Sequence, residues 1–331
     1  MNSSLIAWIL RAVPFGTIIM FGSMGEIVTE KSGNLNLGVP GIMYLGGFAG
    51  FASSYFYEKL SPDPKGWVCV LLALFCAIAA SMIGGLIFSF LTITLRANQN
   101  VTGLALTTFG MGVANFFGVF ILNGASYTAA PLAYASFSKK MPVLSSAFGT
   151  VSEVVFGYGF LAYAAIILAV VLHYILNKTR TGLNLRAVGE NPGTADAAGI
   201  NVTRYKYLAT CIGAGISGIG GLYYVLDYNQ GIWATTGQIE ALGWLAVALV
   251  IFTTWKPLNA IWGAYLFGML YWLYQFLPGV LGIHISSYMT DLVQMVPYVV
   301  TIVVLVVVSF RKKKENQPPA SLGLSYFREE R

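Results

Sequence analysis

A chain that repeatedly runs twenty or so apolar residues between polar breaks has few folds open to it. A bilayer core of ~30 Å is crossed by ~20 helical residues. Such runs lie at 5–27, 36–57, 67–94, 99–122, 154–177, 207–228, 240–254, 258–278 and 291–310. In lipid each backbone N–H and C=O needs a protein partner, which excludes open sheets and coil. The expected fold is all-α: a polytopic helical membrane protein of about nine spans. The run 240–254 is short, and the apolar stretch 279–290 follows Pro278 and contains Gly282. Broken or re-entrant helices are expected there, the second as a half-helix that dips into the bilayer and returns.

Composition closes the remaining routes. Only 10% of the 331 residues are charged and 56% are hydrophobic, with a mean hydropathy of +0.70. A soluble domain carries about 25% charged residues, so a cytosolic enzyme and a disordered chain are both excluded. The 37 glycines follow no G-X-Y period and suit close helix contact in lipid. Cys69, Cys76 and Cys211 all sit in apolar runs, which argues against a disulfide framework or a structural zinc site.

The net charge of +6 is informative through its placement. With the amino terminus outside, the inner segments hold 14 Lys and Arg: Lys31, Arg96, five in 178–206, Lys256 and six from Arg311 onward. The outer segments hold four: Lys59, Lys65, Lys139 and Lys140. This asymmetry places the amino terminus outside and the carboxy terminus inside, and it accounts for both basic clusters without nucleic acid. The first apolar run continues too far for a cleavable signal peptide. The polar segment from Glu315 to Arg331 is expected to be flexible.

Two segments between the runs are long. Residues 123–153 contain Pro131 and Pro142 and fall outside; residues 178–206 are basic and fall inside. Within the second, local rules predict a short helix. Asn191 is a good N-cap, Pro192 suits the first helical position, Ala195, Ala197 and Ala198 favour helix, and Gly199 is a natural stop. A capped helix of small residues, exposed and flanked by arginines, can be gripped by a partner; the alternative is a solvated linker.

The run TRTGLNLRAVGENPGTADAAGINVTRYK resembles the coupling loop of integral permease subunits of ABC importers, in the branch serving branched-chain amino acids, simple sugars and nucleosides. The resemblance implies that Glu190, Asn191, Pro192, Gly193, Ala195, Asp196, Ala197 and Gly199 couple this chain to a cytosolic ATPase. A second match is Glu30 to Met43, similar to the S-G-x-x-N-x-G-x-x-G-x-M segment of nucleoside-type permeases. Val39-Pro40 stands where that group often has Leu-Glu, so any role of that carboxylate does not carry over. A third is Leu95 to Leu106, similar to R-A-N-x-V-x-G-x-A-L, with Asn98 either an N-cap at a polar cavity or a plain inner-face cap. A weaker fourth spans Gly243–Leu249 and Trp255–Ile261, with Trp244 for Phe, Lys256 for Asn and Asn259 for Gly.

The resemblance assigns a substrate pathway to Asn34, Asn36, Gly38, Asn98, Asn100 and Thr102. Asparagine amides at membrane depth suit a neutral solute such as a nucleoside. Glu26 precedes the Gly33 segment and is expected to orient it by hydrogen bonding. Phe109, Phe116 and Trp233 are either stacking surfaces or packing. Gly213, Ser217 and Gly221 share one helical face that suits close helix contact, with substrate contact as the alternative.

The sequence has no G-x-x-x-x-G-K-[ST] and no catalytic set, so no cofactor is expected in this chain. ATP and Mg would belong to a partner ATPase subunit. The further implied partners are a second, homologous permease, giving a heterodimer, an extracytoplasmic substrate-binding lipoprotein and membrane lipid. The resemblance implies the shorter permease of a nucleoside system, lacking one amino-terminal span of longer members, in a bacterial cytoplasmic (inner) membrane. The organisation expected is a transmembrane permease domain at 1–310 and a cytoplasmic basic tail at 311–331. The alternatives are an ABC permease for a simple sugar or riboflavin, and a secondary transporter.

Overall fold

The computed structural model describes residues 3–123, 127–140, 150–234, 238–281, 287–311 and 317–327. Helices account for most of them: α1 (Ser3–Glu30), α2 (Val39–Leu60), α3 (Gly66–Ser89), α4 (Gln99–Leu122), α5 (Pro131–Phe137), α6 (Thr150–Phe156), α7 (Phe160–Lys178), α8 (Arg180–Glu190), α9 (Pro192–Ala197), α10 (Val202–Tyr223), α11 (Gln238–Phe252), α12 (Pro257–Tyr271), α13 (Leu273–Leu281), α14 (Ser287–Gln294) and α15 (Val296–Arg311). Two π-helical turns, Phe90–Thr94 and Tyr224–Tyr228, extend α3 and α10.

Among the described residues, five helical stretches are long and apolar enough to cross a bilayer: Ser4–Glu30, Gly66–Thr94, Gln99–Leu122, Phe160–Lys178 and Val202–Tyr228. The other expected spans correspond to α2, α11, α12 and α15. α11 and α12 have 15 residues each, about 22 Å at 1.5 Å per residue, which is short of the hydrocarbon core. Three boundaries shift. The expected 154–177 run splits into α6 and α7 at the Gly157–Gly159 break. The 258–278 run breaks at Trp272, between α12 and α13. The 207–228 run begins earlier, at Val202, where Asn201 caps α10 by accepting from the Arg204 amide at 2.9 Å. Gly282, on which the re-entrant expectation turned, lies outside the described residues.

Glycine decides how the helices meet. α1, α2 and α10 approach so closely that side chains are excluded between them. A Cβ on Gly25 would fall 2.2 Å from the Gly213 carbonyl oxygen, and one on Gly221 would fall 1.9 Å from that of Met43. Ser217 Oγ donates to the Gly22 carbonyl at 3.2 Å. The Gly213–Ser217–Gly221 face is therefore packing within this chain. α1 also packs against α11 and α12, α10 against α3, and α2 against α4. Large apolar side chains point outward instead: Phe75 and Leu86 on α3, Phe116 and Phe120 on α4, Ile167 and Val170 on α7. That inversion of a soluble fold is what a lipid-facing surface requires.

Alternate connections gather at opposite ends. Lys31, Arg186, Glu190 and Lys256, from three segments expected on the inner side, line one cavity. At the other end Thr128–Ala129 pairs antiparallel with Ile232–Trp233, joining two segments expected outside.

Candidate functional site

α1 ends at Glu30, and the chain runs without regular structure until α2 begins at Val39. The Lys31, Ser32 and Gly33 amides close turns onto the Ile27, Thr29 and Glu30 carbonyls, and the buried backbone beyond them needs other partners. The neighbouring helices supply them. Glu26 Oε1 accepts from the Asn36 amide at 2.9 Å. Gln99 Oε1, on the first residue of α4, accepts from the Leu35 amide at 2.7 Å. Thr107 Oγ1 donates to the Leu37 carbonyl at 3.0 Å. Asn36 Oδ1 accepts from the Gly38 amide at 2.9 Å, an Asx turn that leads into α2. Asn34 Nδ2 donates to Thr210 Oγ1 on α10 at 3.0 Å, while its Oδ1 has no partner among the described residues. Glu26, Asn34 and Asn36 are each 1% exposed. Each such group left unmet would cost about 1–3 kcal/mol, so the side chains hold one shape.

Gly33 turns this segment with φ +87°, a conformation that strains any residue with a Cβ. At the other end of α11, Thr254 and Trp255 are both left-handed, with φ of +54° and +55°. Left-handed φ is rare for a β-branched threonine. The tight reversal carries the Trp255 indole inward, where Nε1 donates to the Glu30 carboxylate.

The predicted short helix is α9. Asn191 Oδ1 accepts from the Thr194 amide at 3.0 Å, Pro192 is the first helical residue, and Gly199 leaves the helix at φ +83°. Ala195 faces inward into a small apolar cluster with Val188 and Val202. Asn191, Thr194, Ala197 and Ala198 face outward. A Cβ on Gly193 would meet only Asn191 Oδ1, at 3.5 Å. α8 joins α9 to the broken segment: a Cβ on Gly189 would fall 2.3 Å from the Lys31 carbonyl oxygen. Beside that contact, burial pulls the Lys31 ammonium below its ordinary value, and the Glu190 carboxylate opposes the shift.

The structure brings Glu26, Asn34, Asn36 and Gly38 together and sets the α4 residues apart. Asn98 caps α4, its Oδ1 accepting from the Val101 amide at 3.1 Å, and both it and Asn100 are exposed. Thr102 is buried and donates to the Asn98 carbonyl at 2.8 Å. Trp233 is 1% exposed and packs against the rings of Phe48 and Phe51; Phe109 and Phe116 are exposed.

One expectation is corrected. Within the segment expected to be flexible, residues 317–327 lie against the broken loop and α9. The Ser321 amide donates to the Gly189 carbonyl at 3.0 Å, and its hydroxyl donates to the same oxygen. The Gly323 amide donates to the Gly33 carbonyl at 3.1 Å. Tyr326 OH donates to Asp196 Oδ2 at 2.9 Å, and Arg96 lies over the Phe327 ring at 4.6 Å. Leu322, Leu324, Tyr326 and Phe327 are the apolar signal in this tail that a reading by overall polarity passes over. Thr107, Thr210 and the Trp255–Glu30 bond were likewise missed, because nothing local marks their long-range partners.

A helical bundle with lipid-facing side chains, a satisfied backbone break inside it and a capped helix standing out at one end defines a polytopic membrane transport component. Comparison with known proteins narrows this. Residues 8–305 match the family described as branched-chain amino acid transport system / permease component, and the chain belongs to that family. It is 31% identical over 88% of its length to the nucleoside ABC transporter permease protein NupC of Lactococcus lactis, covering 88% of that protein. It is 30% identical to the guanosine ABC transporter permease protein NupQ of Bacillus subtilis, over 76% of each chain. It is 32% identical to a putative glucose ABC transporter permease protein, TsgC13 of Haloferax volcanii, over 81% of this chain and 77% of that one. No solved structure matches. The chain is a multi-pass membrane permease component.

Proposed function

We propose that this chain is a permease subunit of an ATP-driven ABC importer that carries nucleosides, purine nucleosides above all. The observation that carries the reading is α9, capped at both ends and held out on a three-residue apolar cluster. A helix so placed offers a partner a rigid handle. The partner is a cytosolic ATPase subunit, which holds ATP and Mg. The names of two relatives, nucleoside and guanosine permeases, support the substrate class. An external binding lipoprotein delivers the solute, and a second, homologous permease completes the membrane unit. The amino terminus lies outside and the 178–206 segment inside.

In this reading, ATP-driven closure of the ATPase subunits displaces α9. Gly189 is in close contact with Lys31, so the displacement reaches the 31–38 segment directly. Asn34 and Asn36 sit on that segment, so solute access changes when its hydrogen bonds rearrange, a two-state switch biased by nucleotide. Asn98, Asn100 and Thr102 act at the start of α4.

The test is uptake into proteoliposomes holding this chain with its ATPase, second permease and binding protein. ATP-dependent uptake of labelled guanosine, competed by other nucleosides and not by glucose, is expected. Substrate-stimulated ATPase with glucose and none with nucleosides replaces the substrate by a sugar, the reading that the name of the Haloferax volcanii relative favours. Uptake by this chain alone, without ATPase, refutes the coupling role of α9.

A further inference from the structure

At the end of the bundle where α9 stands, a cavity of about 610 Å³ opens between the start of α10, the turn at Arg96 and the 317–327 segment. Its walls carry three cations, Arg96, Arg204 and Lys206, against the carboxylate of Asp196, whose Oδ2 already accepts from Tyr326. Arg96 and Arg204 are exposed, as cations at a membrane face usually are. Lys206 is not: only 2% of it is exposed, and it lines the cavity. A lysine is almost never fully buried without a partner. Asn34 lines the same cavity with an unpartnered, buried Oδ1.

The backbone adds a third element. α10 is 22 residues long, and its first residues, Val202 and Thr203, also line the cavity. The amides at the start of a helix have no intrahelical acceptor, and the helix dipole is positive there. The Asn201 side chain takes only the Arg204 amide. Helix start, buried ammonium and flanking guanidiniums together suit one kind of group, a multiply charged anion with several acceptor oxygens. The volume is in the range of small-molecule sites and is too large for a bare phosphate ion. Asn34 Oδ1 offers an acceptor to an N–H or O–H elsewhere on the ligand.

We propose that this cavity binds a phosphate ester, its phosphate seated on Lys206, Arg204 and the α10 amino terminus, with Arg96 closing from the side. The proposal holds whatever solute the chain carries. Two sources share this chemistry, a small phosphomonoester of nucleotide size and a phospholipid headgroup from the inner leaflet. Asp196 and Gly199 form part of the wall, so an occupant sits against the end of α9 and under Tyr326.

The test uses the full chain in phosphatidylcholine nanodiscs, with AMP, adenosine and inorganic phosphate as soluble probes. A parallel set of discs contains phosphatidylglycerol, with bound lipid read by native mass spectrometry. AMP is expected to bind at least tenfold tighter than adenosine and to be competed by inorganic phosphate. Lys206→Met, which keeps the buried volume, and Arg204→Gln, at an exposed position, are each expected to weaken AMP at least fivefold while melting temperature and monodispersity hold. Retention of phosphatidylglycerol that both substitutions abolish, with no AMP binding, assigns the same site to the lipid headgroup. The proposal is overturned when neither AMP nor phosphatidylglycerol binding depends on Lys206 and Arg204. Guanosine uptake in the reconstituted transporter is scored separately, so failure of the transport reading and failure of this one are distinguishable.

Discussion

Replacing Glu26 by alanine tests the account of the broken segment most sharply. Glu26 Oε1 accepts from the Asn36 amide at 2.9 Å, and both residues are 1% exposed. Alanine leaves that N–H buried without an acceptor, at a cost of roughly 1–3 kcal/mol. At about 1.4 kcal/mol per factor of ten, opening of the segment becomes roughly 5- to 150-fold more frequent. Glutamine is the control, because its side-chain carbonyl can accept the same bond in nearly the same volume. The measurement is amide hydrogen exchange, by mass spectrometry, of a peptide covering 34–38 in the nanodisc-embedded chain. Exchange is expected to rise for Glu26→Ala and to stay near wild type for Glu26→Gln, with peptides from α7 unchanged in both. This readout needs no transport assay, so it judges the structure independently of the proposed function. Equal protection in Glu26→Ala and wild type refutes the claim that the carboxylate holds the segment. Equal exposure in both variants shows that charge, not acceptor geometry, was the requirement.

Two further outcomes follow from the packing. A Cβ at Gly193 makes only an ordinary contact with Asn191 Oδ1 at 3.5 Å, and Ala197 is exposed, so Gly193→Glu with Ala197→Arg is expected to leave insertion and melting temperature intact while reconstituted uptake falls at least tenfold against ATPase activity. Normal uptake by the double variant refutes α9 as the coupling element. Gly221→Ala puts a Cβ 1.9 Å from the Met43 carbonyl oxygen, whereas nothing lies within 4 Å of one at Gly112. The first is expected to cut the yield of monodisperse chain several-fold. The second is expected to match or exceed wild type, since alanine favours helix over glycine by about 1 kcal/mol. The reverse order in size-exclusion yield refutes the close α2–α10 contact.

How much was legible in the sequence depended on the range of the interaction that fixed each feature. The caps of α9 and α4 were readable because Asn191 meets Thr194 and Asn98 meets Val101, three residues on. The small-residue face at Gly213, Ser217 and Gly221 was readable as a period, though not its neighbours on α1 and α2. Glu26 could be paired with the Gly33 segment because only ten residues separate it from Asn36. Thr210 and Asn34, 176 residues apart, gave no such signal. Lys206 was counted among the basic residues that orient the chain, and only the fold shows it buried. The tail was misjudged because overall polarity outweighed the side chains of Leu322 and Tyr326, which pack on apolar clusters of the bundle, and of Phe327, whose ring lies under Arg96. The breaks at Gly157–Gly159 and Trp272 sit inside apolar runs, where hydropathy is blind to backbone direction.

These long-range contacts share a location. The 31–38 segment, the end of α8, α9 and residues 317–327 meet at one end of the bundle, where Gly189 touches Lys31 and Ser321, and Gly323 bonds to Gly33. A contact through a Cβ-less residue transmits displacement with little compliance, since no side chain stands between the backbones to rotate away. Side-chain hydrogen bonds such as Asn34–Thr210 and Asn36–Gly38 can instead exchange partners when the backbone shifts, provided each buried group is met again. The two kinds of contact are arranged in series: rigid from α9 to Gly33, rearrangeable from Gly33 to α2. A push at α9 would reach, through Gly189 and Lys31, a buried stretch held partly by side chains of α1 and α4, and that stretch carries Asn34 and Asn36.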